Sequence, residues 1–190
     1  MYEKGINFQV RWEKPWEPTT IIGDCTPLQQ LPFLLHGTGE QVAAYDSTYI
    51  LDYLELVHPE PSLLPADVEG KALEKKLQML GERLMEATAI IFFESQRPIE
   101  TQSEAWLTRQ RLKIKTGLAE IAALIGDRAP DPIRDTITLG DIAVGTTLNM
   151  FEFDGVGMPI SPEFEFRQAL PNLGTYFDAL KARLTRYEED

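Results

Sequence analysis

From Ile6 to Arg11 apolar and polar side chains alternate, with Ile6, Phe8 and Val10 set against Asn7, Gln9 and Arg11. A period of two predicts a half-buried strand. Ahead of it, Met1 to Lys4 runs into Gly5, which reads as the stop of a helix. A Pro-rich, irregular passage follows from Lys14 to Pro27. Leu31-Pro32-Phe33-Leu34-Leu35 and Gln41 to Tyr45 are two short apolar runs, and the glycines of His36-Gly37-Thr38-Gly39-Glu40 between them predict a hairpin. Asp46 and Ser47 then introduce a helix with Ile50, Leu51, Leu54 and Val57 on one face, closed by His58-Pro59.

After Pro65 the spacing of apolar residues becomes helical. The boundary predicted here divides a mixed strand-and-helix domain, residues 1–65, from an all-helical one, residues 66–190. Asp67 can cap a long helix whose stripe is Leu73, Leu77, Leu80, Leu84 and Ile91, broken at Arg97-Pro98. Thr101-Gln102-Ser103-Glu104 has the form of a capping box, with the Thr101 hydroxyl taking an orphan N–H while Glu104 reaches back. The helix it predicts carries Leu107, Ile114, Leu118, Ile121 and Ile125 and stops at Gly126. Thr138-Leu139-Gly140-Asp141 is a second capping box, with Ile137 and Ile142 where a hydrophobic staple sits. A last helix begins after Pro171-Asn172, with Leu173, Tyr176, Phe177, Leu180 and Leu184 inward and a frayed end at Glu188-Glu189-Asp190.

Composition narrows the partners. Hydrophobic residues are 43% of the chain, ordinary for a globular protein, and no apolar stretch is long enough to span a bilayer. No charged-then-apolar leader opens the sequence, and the single cysteine, Cys25, cannot form an internal disulfide, so a cytoplasmic protein is expected. Thirty acidic residues against 18 basic ones give a net charge of -12, a field that repels nucleic-acid phosphates and anionic lipid headgroups. Arg109, Arg111, Lys113 and Lys115 are interrupted by core positions and read as a solvated helix face. Neither nucleic acid nor membrane is expected as a partner. His36 and His58 stand alone beside turn residues, so no metal site is expected, and Trp12, Trp16 and Trp106 read as packing residues.

Four motifs, in order, resemble the glutathione transferases. Arg97-Pro98 through Gln102-Ser103-Glu104-Ala105-Trp106-Leu107 to Arg109-Gln110-Arg111 resembles the segment opening the second helix of the second domain in a bacterial subgroup. Leu139-Gly140-Asp141-Ile142-Ala143 resembles the family's core-helix motif. Asp46-Ser47, followed by Ile50 and Tyr53-Leu54, resembles the acidic-Ser motif before the third helix. Lys14-Pro15-Trp16-Glu17-Pro18 and Thr26-Pro27-Leu28-Gln29-Gln30-Leu31-Pro32 resemble the loop that leads to the family's cis-proline.

The resemblance implies an α+β domain of partial thioredoxin-like fold followed by an all-α domain, usually in a homodimer. It also implies a glutathione site at the seam of the two domains and a small hydrophobic electrophile as second substrate. In it a cis Leu31-Pro32 bond would turn the Leu31 backbone outward to pair with the cysteinyl part of glutathione. The Ser47 hydroxyl and the helix start would hold the γ-glutamyl carboxylate, and Asp46 its ammonium. Asp and Ser are equally the commonest helix caps, and Pro32 could be an edge-strand proline, so these residues alone leave a purely structural reading open. Gln30 stands where the family often has Lys for the glycyl carboxylate, and Thr26 where Asn is usual. By the same resemblance, Met1 falls near the end of the family's first helix, and this chain is expected to lack the opening strand and most of that helix, which supply the Tyr, Ser or Cys acting on the sulfur. Cys25 is not at that position, and no catalytic residue is assigned. Ile90, Phe92 and Phe93, with Arg97 nearby, are candidates for the hydrophobic pocket, though interdomain core would use them equally. Two functions follow: a glutathione transferase whose activity is weak or lost in this chain, or a non-catalytic binding and interaction protein on the same fold.

Overall fold

The computed structural model describes residues 1–15, 17–37, 41–126, 137–152 and 165–184. The chain divides into two compact units, Met1–Leu63 and Leu64–Asp190.

In the first unit a single 3-10 turn, Tyr2–Lys4, ends at Gly5, whose φ of 62° is the left-handed conformation a glycine adopts without a Cβ penalty. A one-turn helix α1 (Ile22–Cys25) precedes strands β1 (Phe33–His36) and β2 (Gln41–Tyr45) and helix α2 (Ser47–Val57). The strands form the expected hairpin, antiparallel, with Phe33 opposite Tyr45 and a register irregularity between Leu34 and Leu35. The strand expected at Ile6–Arg11 is not formed. Ile6 and Phe8 remain more covered than Asn7 and Gln9, but Val10 is 63% exposed, and among the described residues the only strands pair with each other. Periodicity specifies which face is buried, whereas a strand also needs a partner for its N–H and C=O groups. Trp12, expected to pack, is 91% exposed.

One buried cation ties this unit together. Lys4 donates from Nζ to the carbonyls of His58 (2.7 Å) and Pro61 (2.9 Å) and pairs with Glu55 at 2.6 Å. Its three N–H donors therefore have three acceptors, the condition under which a lysine can be buried. Glu55 also accepts from the Ser62 hydroxyl and the Leu63 N–H.

The regular elements described in the second unit are all helical: α3 (Val68–Ser95), a 3-10 turn (Ile99–Thr101), α4 (Glu104–Ile125), α5 (Leu139–Glu152), α6 (Phe166–Ala169) and α7 (Pro171–Leu184). Asp67 caps α3 through the Gly70 N–H at 2.7 Å, and Leu77, Leu84 and Ile91 of the predicted stripe are buried. The cap of α4 differs from expectation. Thr101 belongs to the 3-10 turn and donates to the Pro98 carbonyl, while Ser103 is the cap and accepts from the Trp106 N–H. The reach-back to Ser103 N–H comes from Glu94 of α3, at 2.7 Å, and this bond holds the Glu94 carboxyl below its ordinary range. Gln102 donates to the Arg97 and Ser95 carbonyls, so the Gln-Ser pair closes one helix and opens the next. Trp106, also expected to pack, is 43% exposed, and Trp16 and Glu188 to Asp190 lie outside the described residues.

The second capping box forms as the sequence predicts: the Thr138 hydroxyl accepts from Asp141 N–H at 3.1 Å, and the Asp141 carboxylate from Thr138 N–H at 3.0 Å. Helix α5 then packs closely against α3. A Cβ placed on Gly81 would lie 2.8 Å from the backbone of Ala143, and the Thr147 hydroxyl reaches the Gly81 carbonyl at 2.9 Å. Gly81→Ala must push the helices apart, so it is expected to lower stability by about 1–3 kcal/mol. Thermal unfolding measures this; an unchanged midpoint would show that the contact is not close. At the other end, Asn172 of α7 donates to the Ala122 and Gly126 carbonyls and so satisfies the C-terminus of α4.

Candidate functional site

The hairpin register brings the residue before β1 beside the start of α2. The Asp46 N–H donates to the Pro32 carbonyl at 3.2 Å. Asp46 also caps α2: its Oδ1 accepts from the N–H groups of Thr48 (3.0 Å) and Tyr49 (3.3 Å), and its carbonyl from Ile50 N–H (2.8 Å). These bonds hold Asp46 at φ 71°, ψ 130°, a conformation costing a non-glycine residue about 1–3 kcal/mol. Such strain persists only where surrounding bonds over-determine it, as they do here.

Several polar groups around this bond have no partner among the described residues: Oδ2 of Asp46, the hydroxyl and N–H of Ser47, and the N–H and C=O of Leu31. Leu31, Asp46 and Ser47 are all exposed, and the Leu31-Pro32 peptide is cis. Asp46 thus uses one oxygen for the cap and leaves the other without a partner among the described residues, so the capping and ligand-binding readings do not compete. A free N–H at a helix start, a hydroxyl donor and a carboxylate acceptor suit the carboxylate and ammonium of an α-amino acid. The free N–H and C=O of Leu31 suit an extended peptide laid alongside. Glutathione carries both features, and the residues present fit it.

The turn before the site is built locally. Thr26 is buried, its hydroxyl accepts from Leu28 N–H (3.3 Å) and its carbonyl from Gln29 N–H (3.1 Å). This is the turn chemistry an Asn side chain also supplies, which explains why Thr is tolerated. Gln29 lies at φ 50°, and Gln30 follows, exposed.

The remaining candidates are placed by their own elements. Cys25 ends the one-turn helix α1, half-buried. His36 ends β1, exposed, and His58 caps the C-terminus of α2. On α3 of the second unit, Phe93 is exposed and Phe92 and Ile90 are half-buried; just beyond its end, Arg97 pairs with Glu94 at 3.2 Å. Sequence reasoning missed Lys4. Its partners are more than 50 positions away in the chain, and nothing local marks it.

Comparison with known proteins gives this geometry a context. Residues 104–179 match the family model for the glutathione S-transferase C-terminal domain. An uncharacterized GST-like protein of Escherichia coli K12, YibF, is 31% identical over 153 residues, covering 80% of this chain and 74% of that protein. A glutathione S-transferase of Methylobacterium radiotolerans, solved with glutathione sulfonate, is 40% identical with a TM-score of 0.84, over 96% of this chain and 82% of that one. A family member from Pseudomonas fluorescens Pf-5, solved with bound glutathione, is 28% identical with a TM-score of 0.75, over 95% and 88%. A strand-and-helix unit followed by a helical one is the fold these proteins share, and at this identity and coverage the chain belongs to the glutathione S-transferase family.

Proposed function

We propose that this protein binds glutathione through Leu31, Pro32, Asp46, Ser47 and Gln30, and directs its thiol onto a small hydrophobic electrophile. The observation that carries the reading is the Asp46 N–H bond to the Pro32 carbonyl, which sets an unpaired peptide edge beside an open helix start. Two relatives solved with glutathione or its sulfonate support it. In conjugation a glutathione sulfur supplies the electron pair for a new S–C bond, and the leaving group departs with the old one. This chain's part is to hold the peptide: Leu31 by its backbone, Ser47 by hydroxyl and N–H at the γ-glutamyl carboxylate, and Asp46 at the ammonium. No residue is assigned to the sulfur. A cytoplasmic homodimer is the expected state.

Retention on immobilised glutathione, with calorimetric titration of the free tripeptide, tests the reading. Removing a hydrogen bond to a charged group costs about 1.5–3 kcal/mol, so Ser47→Ala is expected to weaken binding roughly ten- to a hundredfold. Ser47 is exposed and is not the cap, so the fold survives its loss. No retention of the parent protein would refute the proposal. Retention without turnover of a chlorodinitrobenzene-type probe would leave a binding protein rather than a transferase.

A further inference from the structure

One side chain of the helical core lacks partners for all of its polar atoms. Gln110 of α4 is fully buried, and neither its Oε1 nor its Nε2 has a hydrogen-bond partner among the described residues. A carboxamide carries two N–H donors and an acceptor oxygen, and burying them unpaired is unfavourable. The nearest buried residues of its own helix, Leu107 and Ile114, are apolar and satisfy none of them. Gln110 lies in the Arg109-Gln110-Arg111 run, to which the glutathione site gives no part.

Two contacts between α3 and α4 locate it. The Ser103 N–H bonds to Glu94, and a Cβ placed on Gly117 would overlap the Leu84 side chain. The two helices therefore run antiparallel, and Gln110, midway between Ser103 and Gly117, stands opposite the middle of 84–94. The buried residues of α3 at that level are Ala87, Thr88 and Ile91. Ala87 and Thr88 have short side chains, and Thr88 is polar. Its hydroxyl donates to the Leu84 carbonyl at 2.8 Å, which leaves the lone pairs of its oxygen to accept.

We infer that Gln110 and Thr88 form a buried water site between α3 and α4, one that the fold needs filled. Water accepts from Gln110 Nε2 and donates to Gln110 Oε1 and to the Thr88 oxygen. Buried water in globular proteins makes about three such bonds to groups that otherwise have none. With Gln110 at 0% exposure, nothing larger reaches the amide unless the helix pair opens. The site also has a structural use. The contacts around it are apolar and non-directional, whereas a hydrogen-bonded bridge fixes how α3 and α4 pair.

A crystal structure of the intact protein, at a resolution that shows ordered water, tests the occupancy. Water oxygens are expected within about 2.7–3.2 Å of the Gln110 amide and of Thr88 Oγ1. A dry amide, or one bonded directly to a protein group, would overturn the inference. Gln110→Met tests whether the fold needs the water, because it keeps much of the volume and removes the amide. Loss of the bridge is expected to lower the thermal midpoint by about 2–4 °C. A midpoint unchanged or raised would show that the amide is an unpaired burden, and would overturn the claim that the bridge holds the helices.

Discussion

Asp141→Ala is expected to lower the stability of the helical unit by about 2–4 kcal/mol, among the largest effects of any single substitution here. The Asp141 carboxylate does two jobs. One oxygen accepts from Thr138 N–H and closes the capping box; the other accepts from the Tyr176 hydroxyl, joining α5 to α7. Tyr176 is 2% exposed, so this bond to a charged oxygen lies out of water. Loss of the cap costs about 1 kcal/mol, and loss of a hydrogen bond to a charged group about 1.5–3 kcal/mol. Thr138→Ala removes the reciprocal hydroxyl and its bond to Glu74 but leaves Tyr176 paired, so a smaller loss is expected. Tyr176→Phe removes the hydroxyl together with its need for a partner, and is expected to be milder than Asp141→Ala. Urea unfolding followed by far-ultraviolet circular dichroism gives all three. A loss below about 1 kcal/mol for Asp141→Ala would show that the capping box and the Tyr176 bond do not hold α5.

Lys4→Met is expected to open the first unit. Removing one partner of a buried ion pair costs about 3–5 kcal/mol, because the other charge is stranded. Here the loss falls toward the lower end, since Glu55 keeps bonds from Ser62 and Leu63. The carbonyls of His58 and Pro61 are left without the ammonium, which unties the 3-10 turn from the end of α2. At about 1.4 kcal/mol per decade, α2 amides should exchange with solvent roughly a hundredfold faster. Adding Glu55→Leu should recover part of the loss, because the stranded carboxylate goes with it. Unchanged protection in Lys4→Met would mean that the ion pair is not formed in solution.

The elements legible in the sequence were those whose signals are local. Stripes such as Leu77, Leu84 and Ile91, or Leu107, Ile114 and Leu118, repeat at helical spacing, and Gly126 and Thr138 to Asp141 mark their ends by chemistry within a few residues. The Asp46-Ser47 start and the hairpin before it were readable for the same reason. What failed depended on residues far apart. Thr101 and Ser103 are both good caps, and the choice falls to Ser103 because Pro98 begins a separate turn and Glu94 arrives from the preceding helix. The alternation at Ile6–Arg11 states a buried face without naming a partner strand. Trp12 carries a large apolar ring, yet composition says nothing of whether a neighbour lies against it. Within the candidate site, sequence order nominates Leu31, Pro32, Asp46 and Ser47 only as candidates. That the backbone of Leu31 and one oxygen of Asp46 lack partners among the described residues needed three dimensions.

The most direct test reads the backbone itself. In a titration of ¹⁵N-labelled protein with reduced glutathione, the amide resonances of Leu31 and Ser47 should move together, saturate, and move further than those of α4 or α7. Shifts confined to the helical unit, or none at millimolar glutathione, would contradict a tripeptide held along Leu31 and the start of α2.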